Sequence, residues 1–363
     1  MAGSLVAWFG WYLLRRGVHN TAQEWGSFFK RAVLAGLSAS LAILTAEVSL
    51  RVILARQDKM NSLDNLKEVR KAHKPFRVTG THPLVYIIEP SDDPFLIYEL
   101  QKNLDMEFGD RRLRTNAEGL RSNREYAKEK GPHTVRILGL GDSGMWGWDI
   151  QQGLDGLSVL ESNLNARANG VTYEALNMAV PGYNTSQEVE MLAARGLAYK
   201  PDIVLLNWCD NDFQIPFLSV QTHDFKRRDL SFVRCLLFDR DKFYGLVLSE
   251  VMDNRSLDPK KIPPYLLSQS GPPGVRLALQ RLKDISAREG FRYLVYGPMG
   301  KDVLNICREL DVPYYNTREK IPSGKYPSEY AIYFMHPAPG GHRVIAEYLE
   351  AELRSRGWLQ PRS

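Results

Sequence analysis

The sequence predicts an α/β protein: three layers, with a central parallel sheet covered by helices on both faces. Three observations carry this. Short apolar runs alternate with segments of helical spacing along residues 133–358, and that alternation places crossover helices on both sides of a parallel sheet. The runs are nearly continuous in apolar residues, as strands buried on both faces require. Glycine or Pro-Gly punctuates the ends of strands and helices, as at Gly141, Gly182, Gly290 and Gly357.

The elements follow in order. "TVRILGLG" (134–141) is a short apolar run ending in glycine and reads as the first buried strand. "LSVLESNLNARA" (157–168) has helical spacing. "YEALNMAVPG" (173–182) is a second strand, closed by Pro-Gly. "SQEVEMLAARGLAY" (186–199) is helical, with Ser186 as its N-cap. "PDIVLLNW" (201–208) is a third strand. A helix over 275–290, a strand over 291–298 and helices over 301–310 and 340–357 complete the pattern. Residues 213–273 do not alternate. They hold Pro216, Pro259, Pro263 and Pro264 with an aromatic-rich piece, and read as an insertion after the third strand.

The N-terminal part is organised differently. "AVLAGLSASLAILTA" (32–46) carries no charge, and the apolar character continues with Glu47 and Arg51 as interruptions. A spanning helix needs about 20 apolar residues, so 32–54 reads as a single-pass transmembrane helix. Glu47 and Arg51 stand four apart and can pair on one helix face. A buried or interfacial helix satisfies the same pattern. Arg15, Arg16, Lys30 and Arg31 precede the segment and favour an inside N-terminus, which puts the rest of the chain on the extracytoplasmic, periplasmic side. Residues 1–31 then form a cytoplasmic or interfacial segment, 55–80 a linker, and 81–132 a small β-rich extension. The extension contains "PLVYII", "FLIYEL" and a turn at "NAEG".

Composition sets outer limits. With 363 residues, 44% hydrophobic and 25% charged, the chain can bury a full core. A net charge of +5 from 47 basic and 42 acidic residues makes no case for nucleic acid. Cys209, Cys235 and Cys307 lie far apart, show no metal-ligand spacing and cannot all pair; one bridge stays open.

Ligands of parallel sheets bind beyond the carboxyl ends of the strands. There the sequence places Ser143 in "GDSG", Gly182 in "VPGY", and Asn211 in "CDND"; His336, in "MHPAPGGH", precedes the last helix. A serine hydroxyl needs an imidazole to take its proton, and the oxyanion of acyl transfer needs aimed N–H donors. These residue types supply both.

"GDSGMWGW", "NMAVPGYNT", "NWCDNDF" and "HPAPGGHRVIAEYL" resemble, in order, the first, second, third and fifth sequence blocks of the SGNH (GDSL-type) hydrolases. "TNAEGLR" resembles a piece of the N-terminal extension in membrane-anchored bacterial members. The resemblance covers about 133–212 and 275–357. It implies the three-layer, flavodoxin-like fold and a serine ester hydrolase or O-acyltransferase without metal or organic cofactor. It further implies Ser143 as nucleophile, His336 as base, and Ser143, Gly182 and Asn211 as the oxyanion hole. The implied substrate is an acyl ester, such as an O-acetylated glycan or a lipid, with the insertion as part of its wall.

Two positions depart from the pattern. The family's acid stands three residues before the histidine, where this chain has Tyr333; a backbone carbonyl or Glu329 is an alternative support for His336. The third block begins with glycine, where this chain has Cys209. Tyr333 keeps open a catalytically degenerate fold that binds a glycan or an assembly partner. Asp142 reads as a structural hydrogen bonder behind the serine, Asp212 as the cap of a following helix, and His342 as a packing residue. Cys209 reads as a small buried residue, and Trp146 and Trp148 as core or pocket wall.

Overall fold

The uncharged run near the N-terminus lies within one long helix, α1 (Ala22–Met60), in the computed structural model. The structure describes residues 22–60, 83–108, 111–167, 170–215, 264–321, 331–332 and 336–361. The helix extends beyond the expected 32–54 because its flanks, rich in Gln, Glu, Lys and Arg, also propagate a helix. Within it, Lys30–Ser49 is long and apolar enough to cross a membrane, with a mean hydropathy of 1.7 and 0% of it buried. Arg51 Nε donates to Glu47 Oε1 at 2.9 Å, so the two charges pair on one face. As far as Arg56, α1 belongs to a different unit from the body described next.

The extension forms two antiparallel pairs: β1 (Ile88–Pro90) with β2 (Tyr98–Leu100), and β3 (Asp105–Phe108) with β4 (Arg111–Arg114). Less of it is strand than the apolar pieces suggested. Pro83–Tyr86 is a 3₁₀ turn, and Ile97 takes a left-handed φ of 68°, which breaks the extended run of "FLIYEL".

The body continues with β5 (Thr134–Gly141), α2 (Ser143–Trp146), α3 (Gly156–Asn165), β6 (Thr172–Asn177), α4 (Thr185–Ala194) and β7 (Ile203–Asn207). After the interval beyond β7 come α5 (Pro264–Leu267), α6 (Gly271–Glu289), β8 (Arg292–Gly297), α7 (Lys301–Glu309), β9 (Tyr314–Asn316) and α8 (Thr317–Lys320). A short pair, β10 (Ala331–Ile332) and β11 (His336–Pro337), precedes the last helix, α9 (Pro339–Ser355). Most of the expected insertion, 216–263, lies outside the described residues.

The sheet runs in the order β6-β5-β7-β8-β9 and is parallel throughout. All eight residues of β5 are buried, as its central place demands. The crossovers β5→β6 and β6→β7 travel in opposite directions. Right-handed connections therefore put α3 and α4 on opposite faces. Helix α9 packs on α3, and α6 on α4, which makes the expected three layers. Because the direction of travel reverses between β5 and β7, a crevice opens at their carboxyl ends.

Three expectations change in detail. β6 stops at Asn177, before the loop that carries Pro181 and Gly182. The cap of α4 is Asn184, not Ser186: Asn184 Oδ1 accepts from Gln187 N at 3.1 Å while Gln187 Oε1 accepts from Asn184 N at 3.2 Å. This helix also ends at Ala194, and Gly196–Tyr199 is a 3₁₀ turn. The fifth strand, β9, has three residues, too few for an apolar run to announce it.

Candidate active site

β5 delivers its last residue, Gly141, to the crevice, and the chain turns at once into α2. Asp142 caps this turn, its Oδ1 accepting from Gly144 N at 2.8 Å. Ser143 follows, half-buried. Its Oγ stands 2.7 Å from Nε2 of His336, which β11 carries in from 193 positions further along the chain. The geometry places a hydroxyl within proton-transfer distance of an imidazole.

Asn211 arrives from the far side of the crevice, on the 3₁₀ turn Asp210–Phe213 after β7. Its amide is held at both ends. Nδ2 donates to Asp142 Oδ2 at 2.7 Å, and Oδ1 accepts from Cys209 Sγ at 2.7 Å. Cys209 Sγ is also 3.2 Å from Asp142 Oδ2. Burial, and then the neighbouring Asp142 and Asp212 carboxyls, push the Cys209 thiol well up, so it stays an S–H donor. A flipped amide would set its NH₂ against the thiol and its oxygen against a carboxylate. The observed orientation leaves the second N–H of Asn211 uncommitted to these two partners.

Asp212 acts within its own 3₁₀ turn. Its Oδ2 accepts from Cys209 N at 3.0 Å and so caps the turn in which it sits. Behind it Glu188 is buried, and both of its carboxyl oxygens lack a hydrogen-bond partner among the described residues. Burial, then the adjacent acids, push both carboxyls well above the usual range.

Gly182 sits in a turn at the same sheet edge. Tyr183 N donates to Val180 O at 3.1 Å, and Gly182 has a φ of +83°. Proline followed by a glycine of positive φ makes a type II turn. Val180 N donates to Gly141 O at 3.0 Å, which ties this loop to the end of β5. The extension braces it from outside: Tyr98 Oη donates to Pro181 O at 2.9 Å, and Tyr183 Oη donates to Tyr98 O.

No family model matches the sequence, and no curated protein matches it. Solved structures do. The chain is similar to a lipase/acylhydrolase from Enterococcus faecalis (14% identity, TM-score 0.39, covering 61% of this chain and 96% of that one). It is also similar to a catalytic mutant of an acetylxylan esterase from Geobacillus stearothermophilus (16% identity, TM-score 0.36, 65% of this chain and 100% of that one). A third is the psychrotrophic esterase EstA from Pseudoalteromonas sp. (15% identity, TM-score 0.35, 62% of this chain and 98% of that one).

The remaining sequence-derived candidates separate. Trp146 is core, 1% exposed, whereas Trp148 is half-buried and stacks on the His336 ring, with centroids 6.3 Å apart and planes at 28°. His342 lies under α3: its Nδ1 accepts from Gly156 N at 3.0 Å, and burial pushes its pKa down to about 4. It is therefore neutral at pH 7 and structural. His336 Nδ1 is buried and has no hydrogen-bond partner among the described residues. Tyr333 and Glu329 lie outside the described residues. Cys209 and Cys307 are free thiols, and Cys235 also lies outside the described residues.

Sequence reading did not single out Tyr98, Phe108 or Arg121, which reach the site's loops from the extension. Only the "TNAEGLR" piece signalled any of them, and it gave no contact.

Proposed function

We propose that this chain is a membrane-anchored serine ester hydrolase or O-acyltransferase of the SGNH type. The observation that carries the reading is the 2.7 Å approach of Ser143 Oγ to His336 Nε2 at the carboxyl edge of a parallel sheet. In this reading Ser143 Oγ attacks the ester carbonyl while His336 Nε2 takes its proton. The oxyanion rests on the N–H groups of Ser143 and Gly182 and on Asn211 Nδ2. Collapse breaks the C–O bond, and His336 returns the proton to the leaving alcohol. Water resolves the acyl-enzyme in a hydrolase; an acceptor alcohol does so in a transferase. The substrate class is an acyl ester of a glycan or a lipid. Helix α1 supports anchoring, with the catalytic body on the extracytoplasmic side.

A second reading, a degenerate fold that binds a glycan or a partner, has two observations in its favour. Tyr333 stands where the family has its acid, and His336 Nδ1 lacks a partner among the described residues.

The deciding experiment incubates the full chain, in detergent, with p-nitrophenyl esters of increasing acyl length. Hydrolysis abolished by both Ser143→Ala and His336→Ala supports the dyad, and the chain-length profile separates acetyl from lipid chemistry. A wild type no faster than either variant counts against hydrolysis of these esters and turns the assignment to acyl transfer with a natural donor or to binding.

A further inference from the structure

We infer that Trp148 is a positioning residue for His336, and that the N-terminal extension holds it in place through Phe108 and Arg121. This rests on the Ser143–His336 reading above.

An imidazole that serves as a base must be fixed in two respects: the direction of its working nitrogen and the tilt of its plane. The contact of Nε2 with Ser143 Oγ constrains the first. The second is normally the work of a carboxylate at the other nitrogen. Here the indole of Trp148 lies almost parallel to the imidazole, at 28° and 6.3 Å, within the range of offset stacking. A flat face against a flat face restrains tilt.

Trp148 is itself well fixed. Its backbone N–H donates to Ser143 O at 3.0 Å, so one turn carries both the serine and the ring that faces the histidine. Phe108, at the end of β3, meets the Trp148 ring edge-on at 5.4 Å and 89°, and meets Trp146 at 5.9 Å and 81°. Trp146 and Trp148 lie 5.7 Å apart. The three rings form one packed group, and two of its members are core residues.

Arg121 holds the backbone of the same loop. It closes the "TNAEGLR" piece, whose turn is made by Asn116 Oδ1 accepting from Leu120 N at 2.9 Å. Arg121 is 7% exposed, and its guanidinium donates to three carbonyls: Trp146 O, Gly147 O at 3.0 Å, and Ile150 O. It also lies over the Trp146 ring at 4.5 Å. Gly147 turns with a φ of +86°, and a Cβ there would come 2.6 Å from the Arg121 guanidinium. Glycine at 147 accommodates the positive φ and leaves room for the guanidinium packed against it. The motif in the extension thereby acquires a role at the active site.

The test uses the full chain in detergent. With Trp148→Leu, kcat on the best ester is expected to fall about 10- to 100-fold, the cost of a small misplacement. KM should stay within about twofold, because no substrate binding is removed. Trp148→Phe should restore most of kcat. Phe108→Leu, which removes Trp148's edge-on neighbour, should lower kcat in the same direction. The double variant should be no slower than Trp148→Leu alone. In histidine-labelled protein, the His336 ring protons should lose their ring-current shift in Trp148→Leu. A raised KM with unchanged kcat makes Trp148 a substrate wall and overturns the inference, as do additive effects or an unmoved His336 signal. An active wild type with these outcomes leaves the hydrolase reading standing. A wild type that neither hydrolyses esters nor transfers their acyl group to an added alcohol faster than Ser143→Ala overturns both.

Discussion

Cys209 Sγ lies 2.7 Å from Asn211 Oδ1 and 3.2 Å from Asp142 Oδ2, next to the carboxylate that accepts from Asn211 Nδ2. With the thiol against Oδ1 and the carboxylate accepting from Nδ2, the amide is held in one orientation, its second N–H uncommitted to either partner. Loss of one oxyanion donor costs about 10²–10³ in kcat, and loss of its orientation alone costs less. Cys209→Ala is expected to lower kcat by about tenfold, with KM little changed, and Cys209→Ser to retain most activity. In an Asn211→Ala background, Cys209→Ala should have no further effect on kcat. Equal losses in both backgrounds would show that the thiol acts elsewhere.

In the sequence, Tyr333 stands where the SGNH pattern that the chain resembles has its acid. Tyr333→Asp should raise kcat, under a ceiling of about 10⁴-fold set by the acid's contribution in a related arrangement. A carboxylate beside the imidazole also favours its charged form. The acid limb of the kcat/KM profile should accordingly move to higher pH. An unchanged rate and an unmoved limb would show that position 333 does not communicate with His336.

Burial pushes the Glu188 and Asp212 carboxyls well above the usual range; Asp212 and Asp142 add to it at Glu188, and Asp142 at Asp212. An acid whose folded pKa is raised contributes stability below its unfolded pKa and loses it as pH rises toward the folded value. Glu188→Gln mimics the protonated side chain and removes that dependence. The variant should gain stability relative to wild type as pH rises from about 5 to 9, read as the urea midpoint. Parallel curves would mean that Glu188 is ionised in the fold.

His342 titrates in the opposite sense. Its folded pKa, about 4, lies below the ordinary histidine value of 6.5, because burial disfavours the imidazolium. The unfolded chain binds the extra proton, so this contribution is complete above about pH 6.5 and is lost as pH falls to about 4. The shift corresponds to about 3 kcal/mol. His342→Asn keeps an acceptor for Gly156 N–H without the titration. It should show a flatter stability profile between pH 6.5 and 4 than wild type; an equally steep profile would assign the acid sensitivity to other groups.

Much of the fold was legible in the sequence. A buried strand and an amphipathic helix advertise themselves in windows of about ten residues, so "TVRILGLG" and "VRLALQRLKDISAREG" announce β5 and α6 at the right places. Helix ends depend on side-chain capping, which is why α4 begins after Asn184 rather than Ser186. β9 is too short to leave a pattern. The candidate site residues were legible because Ser143, Gly182 and Asn211 lie in the short segments that follow strand ends, and His336 lies shortly before the last helix.

What the sequence determined by itself is therefore local: which runs become strands, where they end, and which polar residues stand at those ends. The tertiary structure decided what meets there. It brought His336 to Ser143 across 193 positions, set Cys209 against the oxygen and Asp142 against the nitrogen of the Asn211 amide, and laid Trp148 against the imidazole with Phe108 behind it. Such contacts join residues from separate elements. They depend on strand order, crossover handedness and loop packing, and none of these leaves a periodic trace in the residues that finally touch.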